Sequence, residues 1–211
     1  MIPNGYPYEW CWMTTDIHGL PHDAALRSVN PGLTIHASTV PAATTADGYR
    51  NCWRNCDRNI RDWWRSNRDR VRAGTMVFAE YDVLCNVDAK EVLPELPRGV
   101  GIAGARVMSR IRDRRTFWPF CEIDRLPLPM RPLSVALAPL AVLVIARTAL
   151  DLILMTEFDD LFSSDIFCEL RLPTAIRMGG MQAAGMNLPY VHVTPMAVDD
   201  CPAGIYHPVK S

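Results

Sequence analysis

The sequence has very few lysines and no excess of charge of either sign. Its basic residues are nearly all arginine, and the only lysines among the 211 residues are Lys90 and Lys210. The formal net charge is −1, so the total charge provides no attraction to nucleic acid or to an anionic membrane surface. We therefore do not expect nucleic acid among the partners of this chain.

The cysteines lack the spacing of a metal cluster or of a disulfide framework. There are seven, an odd number, with no CxxC pair, and Cys52 and Cys56 fall four residues apart on a predicted helix. Scattered cysteines in an odd number are typical of free thiols in a reducing compartment. We expect a cytoplasmic protein without a cysteine-based zinc cluster.

A long uninterrupted apolar run is also missing. The most apolar stretch, LSVALAPLAVLVIARTALDLILM, contains Pro139, Arg147 and Asp151. This pattern predicts a buried strand followed by a helix and no membrane span. The first ten residues have neither the basic segment nor the apolar core of a secretory signal, so we expect none.

Strand and helix patterns alternate along the chain. Strand patterns occur in YEWCWMTT, LTIHAS, TMVFAEYDVL, GVGIAGARVM, LAVLVIA and PYVHVTPM. Helix patterns occur from about 49 to 71, in RTALDLILMTEF and in DIFCELRLPTAIRMGG. Because the central strands are apolar on both faces, the pattern predicts an α/β fold with a mostly parallel sheet covered by helices.

The helix predicted from about 49 to 71 is rich in both arginine and tryptophan. Its apolar residues are spaced by three and four, as on one face of a helix. Aspartates are interleaved with the arginines, which favours a solvated charged face over a surface that binds phosphates.

Two carboxylates stand where an apolar strand pattern is interrupted. Glu80 and Asp82 flank Tyr81 in the stretch TMVFAEYDVL, and two residues apart on a strand they share one face. In parallel sheets ligands bind beyond the carboxyl ends of the strands. A carboxylate at that place has a use if it holds a cation that neutralises a phosphate.

The segment FAEYDV resembles the acidic motif of GT-A-fold glycosyltransferases. That motif, often written DxD, holds a divalent metal against the diphosphate of a nucleotide sugar, and here Glu80 takes its first place. PLAVLVIARTALDLIL is similar to the strand and helix that follow the acceptor loop in the family. DIFCELRLPTAIRMGG resembles the helix that brings an acidic residue to the acceptor side, and GIYHPVK is similar to the segment that supplies a histidine to the metal.

The resemblance implies a single GT-A-like, Rossmann-like domain over residues 1–211. Residues 1–90 would form the half that binds the nucleotide sugar, and residues 91–211 the acceptor-side half. The implied activity is metal-dependent transfer of a sugar from a nucleotide-diphosphate sugar, such as a UDP-sugar, to a hydroxyl of a small-molecule or glycan acceptor. The implied cofactor is Mn²⁺ or Mg²⁺, both of which take carboxylate ligands.

The resemblance also implies roles for particular residues. The metal ligands would be Asp82 and His207, and Glu80 would bind the ribose or a metal-bound water. Glu169 would be the general base, with Asp165, one helical turn earlier, as the competing candidate. Nucleotide contacts would come from Thr14, Asp16, Asp57 and Arg58. A shared metal would bring the His207 imidazole and the Asp82 carboxylate within roughly 3–5 Å of each other.

Each of these residues also has a purely structural interpretation, and the function has alternatives. Asp82 could cap a turn, His207 could lie in a loose tail, and Glu169 and Asp165 could be ordinary charges at a helix end. Trp118 and Phe120 could stack on a sugar or fill a small core. One alternative function is a non-catalytic binding module on a degenerate transferase fold. Another is a sugar nucleotidyltransferase, although TTDIHGLPHD lacks its glycine-rich basic loop.

Overall fold

The structure is a computed structural model. It describes most of the chain from residue 54 to residue 209 and two short segments before it. The described residues are 11–14, 34–37, 54–79, 83–85, 95–109, 118–138, 140–186, 190–196 and 204–209. For 11–14, 34–37, 84–85, 118–119, 190–196 and 207–209 the description covers the backbone only. Contacts divide the chain into two compact units, Met1–Asp69 and Arg70–Ser211. The prediction of one domain with halves 1–90 and 91–211 stays a prediction.

The described residues of the first unit form a short parallel strand pair and one helix. Strand β1 (Cys11–Thr14) pairs in parallel with β2 (Thr34–Ala37), and both strands were predicted. Helix α1 (Cys56–Asn67) is shorter than the predicted 49–71 within the described residues.

Helix α1 buries more charge than its sequence pattern indicates. Ile60, Trp63 and Trp64 are buried, as their spacing predicts. Arg65 and Arg68 are exposed. Buried charged side chains stand beside the tryptophans, however, namely Asp57, Arg61 and Asp62. The prediction of a solvated charged face is therefore right for the end of the helix and wrong for its first two turns.

The second unit is built on a four-stranded mixed sheet. Its strands are β3 (Thr75–Ala79), β8 (Val142–Ala146), β5 (Val100–Gly104) and β9 (Gln182–Gly185), in that spatial order. Strand β8 is antiparallel to both of its neighbours, β3 and β5, and only the pair β5–β9 is parallel. Helices and strands together make an α/β unit.

The predicted mostly parallel sheet is not what these four strands form. The prediction rested on strands that are apolar on both faces, and β8 is indeed buried from Val142 to Ile145. Burial on both faces requires only that a layer covers each face, and it does not fix the direction of the neighbouring strands. The inference from a continuous apolar run to a parallel sheet therefore failed at β8.

A second, three-stranded sheet supplies one of the covering layers. It has the order β10 (Tyr190–Met196), β11 (Ile205–Val209) and β4 (Leu84–Cys85). Ile205 of β11 packs in an apolar cluster with Ala103, Val142 and Val144 of the four-stranded sheet and with Met186, and Val83 packs against the same cluster. A separate two-stranded pair joins β6 (Val107–Ser109) to β7 (Val135–Leu137).

Helices form the remaining packing of this unit. They are α2 (Arg147–Ile153), α3 (Asp159–Ser163) and α4 (Cys168–Met178). Helix α2 contacts β5 and β8, whereas α4 contacts β5, β7 and β9. The predicted helices RTALDLILMTEF and DIFCELRLPTAIRMGG are both found, although the first ends at Ile153 and the second begins only at Cys168. Helix α4 ends at the glycine pair with Gly180 at φ +83°, a conformation that favours glycine.

The second part of the long proline-rich stretch before β7 is among the described residues. It forms two short 3₁₀ helices, Trp118–Arg125 and Leu128–Leu133. Phe120 is buried there, so of its two predicted roles the structure supports the core residue.

Candidate functional site

Strand β11 brings the C-terminal histidine close to the strand that follows the acidic motif. Strand β11 runs antiparallel to β4, with Ile205 opposite Cys85 and Tyr206 opposite Leu84. His207 follows Tyr206 on β11, and Val83 is the residue immediately before β4 in the sequence. Asp82 directly precedes Val83 in the sequence. One strand pairing thus joins two segments that are about 120 residues apart in the sequence.

The acidic motif itself is outside the described residues. Glu80, Tyr81 and Asp82 fall in the gap between Ala79 and Val83, and Asp16 falls in the gap after β1. The predicted distance between the His207 imidazole and the Asp82 carboxylate stays a prediction.

A second histidine lies beside His207 and was missed by the sequence reasoning. Strand β10 runs parallel to β11, with Tyr190 opposite Ile205, Val191 opposite Tyr206 and His192 opposite His207. The segment PYVHVTPM was predicted as a strand, and its histidine was given no role. The sequence contains no signal that sets the register of two strands, so the pairing of these histidines could only come from the structure.

The two candidate bases lie at the N-terminal end of α4. Glu169 is in the first turn of the helix and is buried. Asp165 precedes the helix, which begins at Cys168, so the prediction that it sits one helical turn before Glu169 is wrong. The chain is bent at Asp165, and its side chain is 79% exposed.

An arginine and a buried glutamate that were not predicted complete this end of α4. The Arg125 guanidinium lies 3.5 Å from the Asp165 carboxylate and also 3.5 Å from the Glu122 carboxylate. Arg125 also donates to the backbone carbonyl of Asp165 at 3.1 Å. The buried Glu122 accepts the backbone N–H of Phe167 at 2.7 Å. A helix N-terminus favours negative charge, which suits the carboxylate positions found here.

A buried arginine donates a hydrogen bond to the turn that contains Asp165. Arg171 of α4 is fully buried, donates to the carbonyl of Ser164 at 2.7 Å and lies 5.8 Å from the centre of the Phe162 ring. Its partner carbonyl is adjacent to Asp165 in the chain. Arg125 therefore contacts Asp165 itself, and Arg171 contacts Ser164, the residue before it.

The predicted nucleotide contacts belong to the first unit. Thr14 is the last residue of β1 and pairs with Ala37 of β2, as expected for a residue at a strand end. Asp57 and Arg58 are in the first turn of α1, where Asp57 is fully buried and Arg58 half-buried. A carboxylate with no exposed surface is not open to a nucleotide in this conformation.

The described residues contain neither a metal-binding cluster nor a membrane-spanning helix. Among the side chains that the structure describes, which exclude those of Asp82, Cys85, His192 and His207, no group of three or more His, Cys, Asp or Glu residues could hold a metal ion. Within the described part of the chain no helix is both long and apolar enough to cross a bilayer.

Comparison with known proteins adds no family. No protein-family model matches the chain, and neither a curated protein nor a solved structure matches it.

Proposed function

We propose that the chain is a metal-dependent glycosyltransferase with a GT-A-like domain. It transfers a sugar from a nucleotide-diphosphate sugar, such as a UDP-sugar, to a hydroxyl of a small-molecule or glycan acceptor in the cytoplasm. The proposal includes a Rossmann-like arrangement of the domain in which strand β8 departs from the parallel direction. The observation that supports it best is the register of β11 on β4, which brings His207 to the strand following Asp82.

The proposed metal site uses Asp82 and His207 to hold Mn²⁺ or Mg²⁺ against the diphosphate. The metal supplies positive charge to the phosphate oxygens as the bond from the sugar to the leaving diphosphate breaks. Glu80 binds the ribose or a metal-bound water. Thr14, Asp16, Asp57 and Arg58 of the first unit are the proposed nucleotide contacts, with Asp57 requiring a conformation that exposes it.

Asp165 and Glu169 are the proposed bases, and their exposure ranks them. A general base must come within hydrogen-bond reach of the acceptor hydroxyl. Asp165 is accessible and is oriented by Arg125, whereas Glu169 is buried. We therefore assign the base to Asp165 ahead of Glu169, which reverses their order in the sequence-based prediction.

Calorimetric titration with UDP- and GDP-sugars, each with and without Mn²⁺, tests the proposal. The expected result is binding of one nucleotide sugar that strengthens with Mn²⁺ and weakens by at least about a hundredfold in Asp82→Ala and His207→Ala. His36→Ala is the matched control, because His36 also lies on a parallel strand pair but its register partner is Met13.

Three outcomes would contradict the proposal. Absence of binding to every nucleotide sugar under both conditions would exclude the transferase. Unchanged partner binding in Asp82→Ala, together with no turnover, would identify the non-catalytic binding module. Release of pyrophosphate from a nucleoside triphosphate and a sugar phosphate would instead identify the nucleotidyltransferase.

A further inference from the structure

Strand β3 forms one edge of the four-stranded sheet. It pairs with β8, and no described strand pairs with its other side. The strand at the opposite edge of the sheet, β9, also contacts β6, β7 and α4. An edge strand presents a row of backbone N–H and C=O groups that can pair with another chain. The β3 edge is therefore where this sheet can take up a further strand.

The pairing with β8 fixes which backbone groups of β3 point to the open edge. The Arg147 N–H donates to the Gly74 carbonyl at 2.8 Å, so the pair next to the start of β3 is hydrogen-bonded. Hydrogen-bonded and non-hydrogen-bonded pairs alternate along an antiparallel ladder. The residues of β3 that bond to β8 are therefore Met76 and Phe78. The residues whose N–H and C=O groups point to the open edge are Thr75, Val77 and Ala79. Within the described part of the chain no hydrogen bond takes up these groups.

The apolar layer that covers the neighbouring strand stops before β3. Val77 lies opposite Val144 in the register of β3 and β8, and such partners share a face of the sheet. Val144 is buried in the apolar cluster around Ile205, whereas Val77 is exposed. A further strand with an apolar residue beside Val77 would extend this layer and remove the Val77 side chain from water.

Strand β3 is complementary to a second copy of itself. In an antiparallel pair centred on Val77, the two Val77 residues lie opposite each other, Thr75 lies opposite Ala79, and Met76 lies opposite Phe78. All the groups that point to the edge then find partners, in about six hydrogen bonds, two for each hydrogen-bonded pair. The strand TMVFA contains no charged residue, so this pairing places no like charges opposite each other.

We propose that the chain forms a symmetric homodimer in which the β3 strands of two copies pair antiparallel and join their sheets into one. An interface with two-fold symmetry uses the same surface on both copies, which the match of β3 with itself provides. Strand β3 also lacks the features that protect edge strands from pairing, because it has no charge and no proline and its register with β8 contains no bulge.

The homodimer goes beyond the proposed glycosyltransferase and does not rest on it. No residue of β3 has a role in the proposed transfer of a sugar. A chain without any transferase activity can still form the dimer, and a monomeric chain can still transfer a sugar, so the two proposals fail separately.

Sedimentation velocity of the full chain over a range of concentrations tests the dimer. The wild type should sediment as a dimer at high concentration and dissociate on dilution. Val77→Lys places like charges opposite each other at the centre of the interface and should raise the Kd of the dimer at least about a hundredfold. Val77→Pro should weaken the dimer as well, because it removes an N–H that points to the edge and none that bonds to β8. Leu128→Lys is the matched control and should leave the Kd unchanged, since Leu128 is an exposed apolar residue outside β3.

Hydrogen exchange in the wild type needs no substitution and does not depend on the folding of a variant. The Val77 amide is bonded only in the dimer, so its exchange should slow as the protein concentration rises. The Phe78 amide bonds to β8 in both states, and its exchange should depend much less on concentration.

Three outcomes would overturn the homodimer. The first is a wild type that stays monomeric over the whole concentration range, even if a strand of another protein uses the edge. The second is a dimer that persists in both Val77→Lys and Val77→Pro. The third is exchange of the Val77 amide at a rate that does not depend on concentration.

Discussion

Strands β3 and β8 are neighbours in one sheet and have similar apolar sequences, yet they are buried differently. In the antiparallel pair Val77 of β3 lies opposite Val144 of β8. The Val77 side chain is 50% exposed, whereas Val144 is 1% exposed. Along β3 buried and exposed residues alternate, while β8 is buried at four consecutive positions.

The cause of the difference is the position of the covering layers. The cluster around Ile205 reaches Val142 and Val144 of β8 and Ala103 of β5, and no residue of β3 belongs to it. Strand β3 is at one end of the order β3–β8–β5–β9. The burial of a strand thus depends on the layers that pack on its two faces. Its direction relative to its neighbours depends on the path of the chain from one strand to the next. Burial and strand direction are separate properties, and only burial affects the hydrophobic pattern of the sequence.

The largest change in the free energy of unfolding is expected from a cavity made in β8. Ile145 is fully buried, so Ile145→Ala should lower the free energy of unfolding by about 2–5 kcal/mol through lost burial and an unfilled cavity. Val77→Ala, on the exposed face of β3, should lower it by less than about 1 kcal/mol. Chemical denaturation of both variants measures the two values. Equal losses would show that β3 is covered as well as β8.

A hydroxyl placed on each of the two register partners gives a smaller and sharper test. Val144→Thr puts the hydroxyl into the apolar cluster and should cost roughly 1–3 kcal/mol, since a buried polar group without a partner is destabilising. Val77→Thr should change the free energy of unfolding by no more than about 0.5 kcal/mol. The difference between the two thermal unfolding curves is the readout, and coincident curves would contradict the asymmetry of the pair.

The smallest effect is expected at Gly74, which precedes β3, and it contrasts with Gly101 within β5. A Cβ on Gly74 would meet no atom within 4 Å, whereas one on Gly101 would lie 2.8 Å from Cγ2 of Ile176 and 2.9 Å from the Met181 side chain. Gly74→Ala should therefore stabilise the chain by about 0.4–1 kcal/mol by restricting the unfolded state.

The Gly101→Ala substitution is the counterpart on the packed side. It should destabilise by about 1–3 kcal/mol, because α4 or the Met181 side chain would have to shift. The same denaturation assay compares the two glycines. A loss of stability in Gly74→Ala as large as that in Gly101→Ala would mean that the start of β3 is packed against another layer.

Local sequence predicted several strands and helices, but not how the strands pair. The single strands predicted in TMVFAEYDVL and GVGIAGARVM are each two strands that belong to different sheets. The apolar run at Val142–Ala146 and the glycine pair after Met178 each identified an element that the structure contains. Strand β9 was not predicted, because Gln182–Gly185 has none of the β-branched or aromatic residues that mark a strand. The parallel pairing of β9 with β5 also joins residues about 80 apart in the sequence, and no local pattern contains that information.

In the candidate site, too, the sequence predicted a local feature and missed the contacts made by residues distant in the chain. Glu169 was identified as a charge at the start of a helix, and its position in the first turn of α4 is confirmed. Its burial, the placement of Asp165 outside the helix and the partner Arg125 depend on the 3₁₀ segment that packs there. The register that sets His192 beside His207 depends on two strands whose pairing no spacing rule determines.

The hydrogen bond from the Phe167 N–H to Glu122 has a consequence for the stability of α4. Phe167 is the N-cap of α4 and has no side-chain oxygen with which to cap the helix. The acceptor comes from a residue 45 positions earlier in the chain. Closing a loop of that length carries an entropic cost that the new contacts must recover. The cap of α4 therefore depends on the segment Trp118–Arg125, so a substitution that removes the Glu122 carboxylate should loosen the first turn of the helix as well.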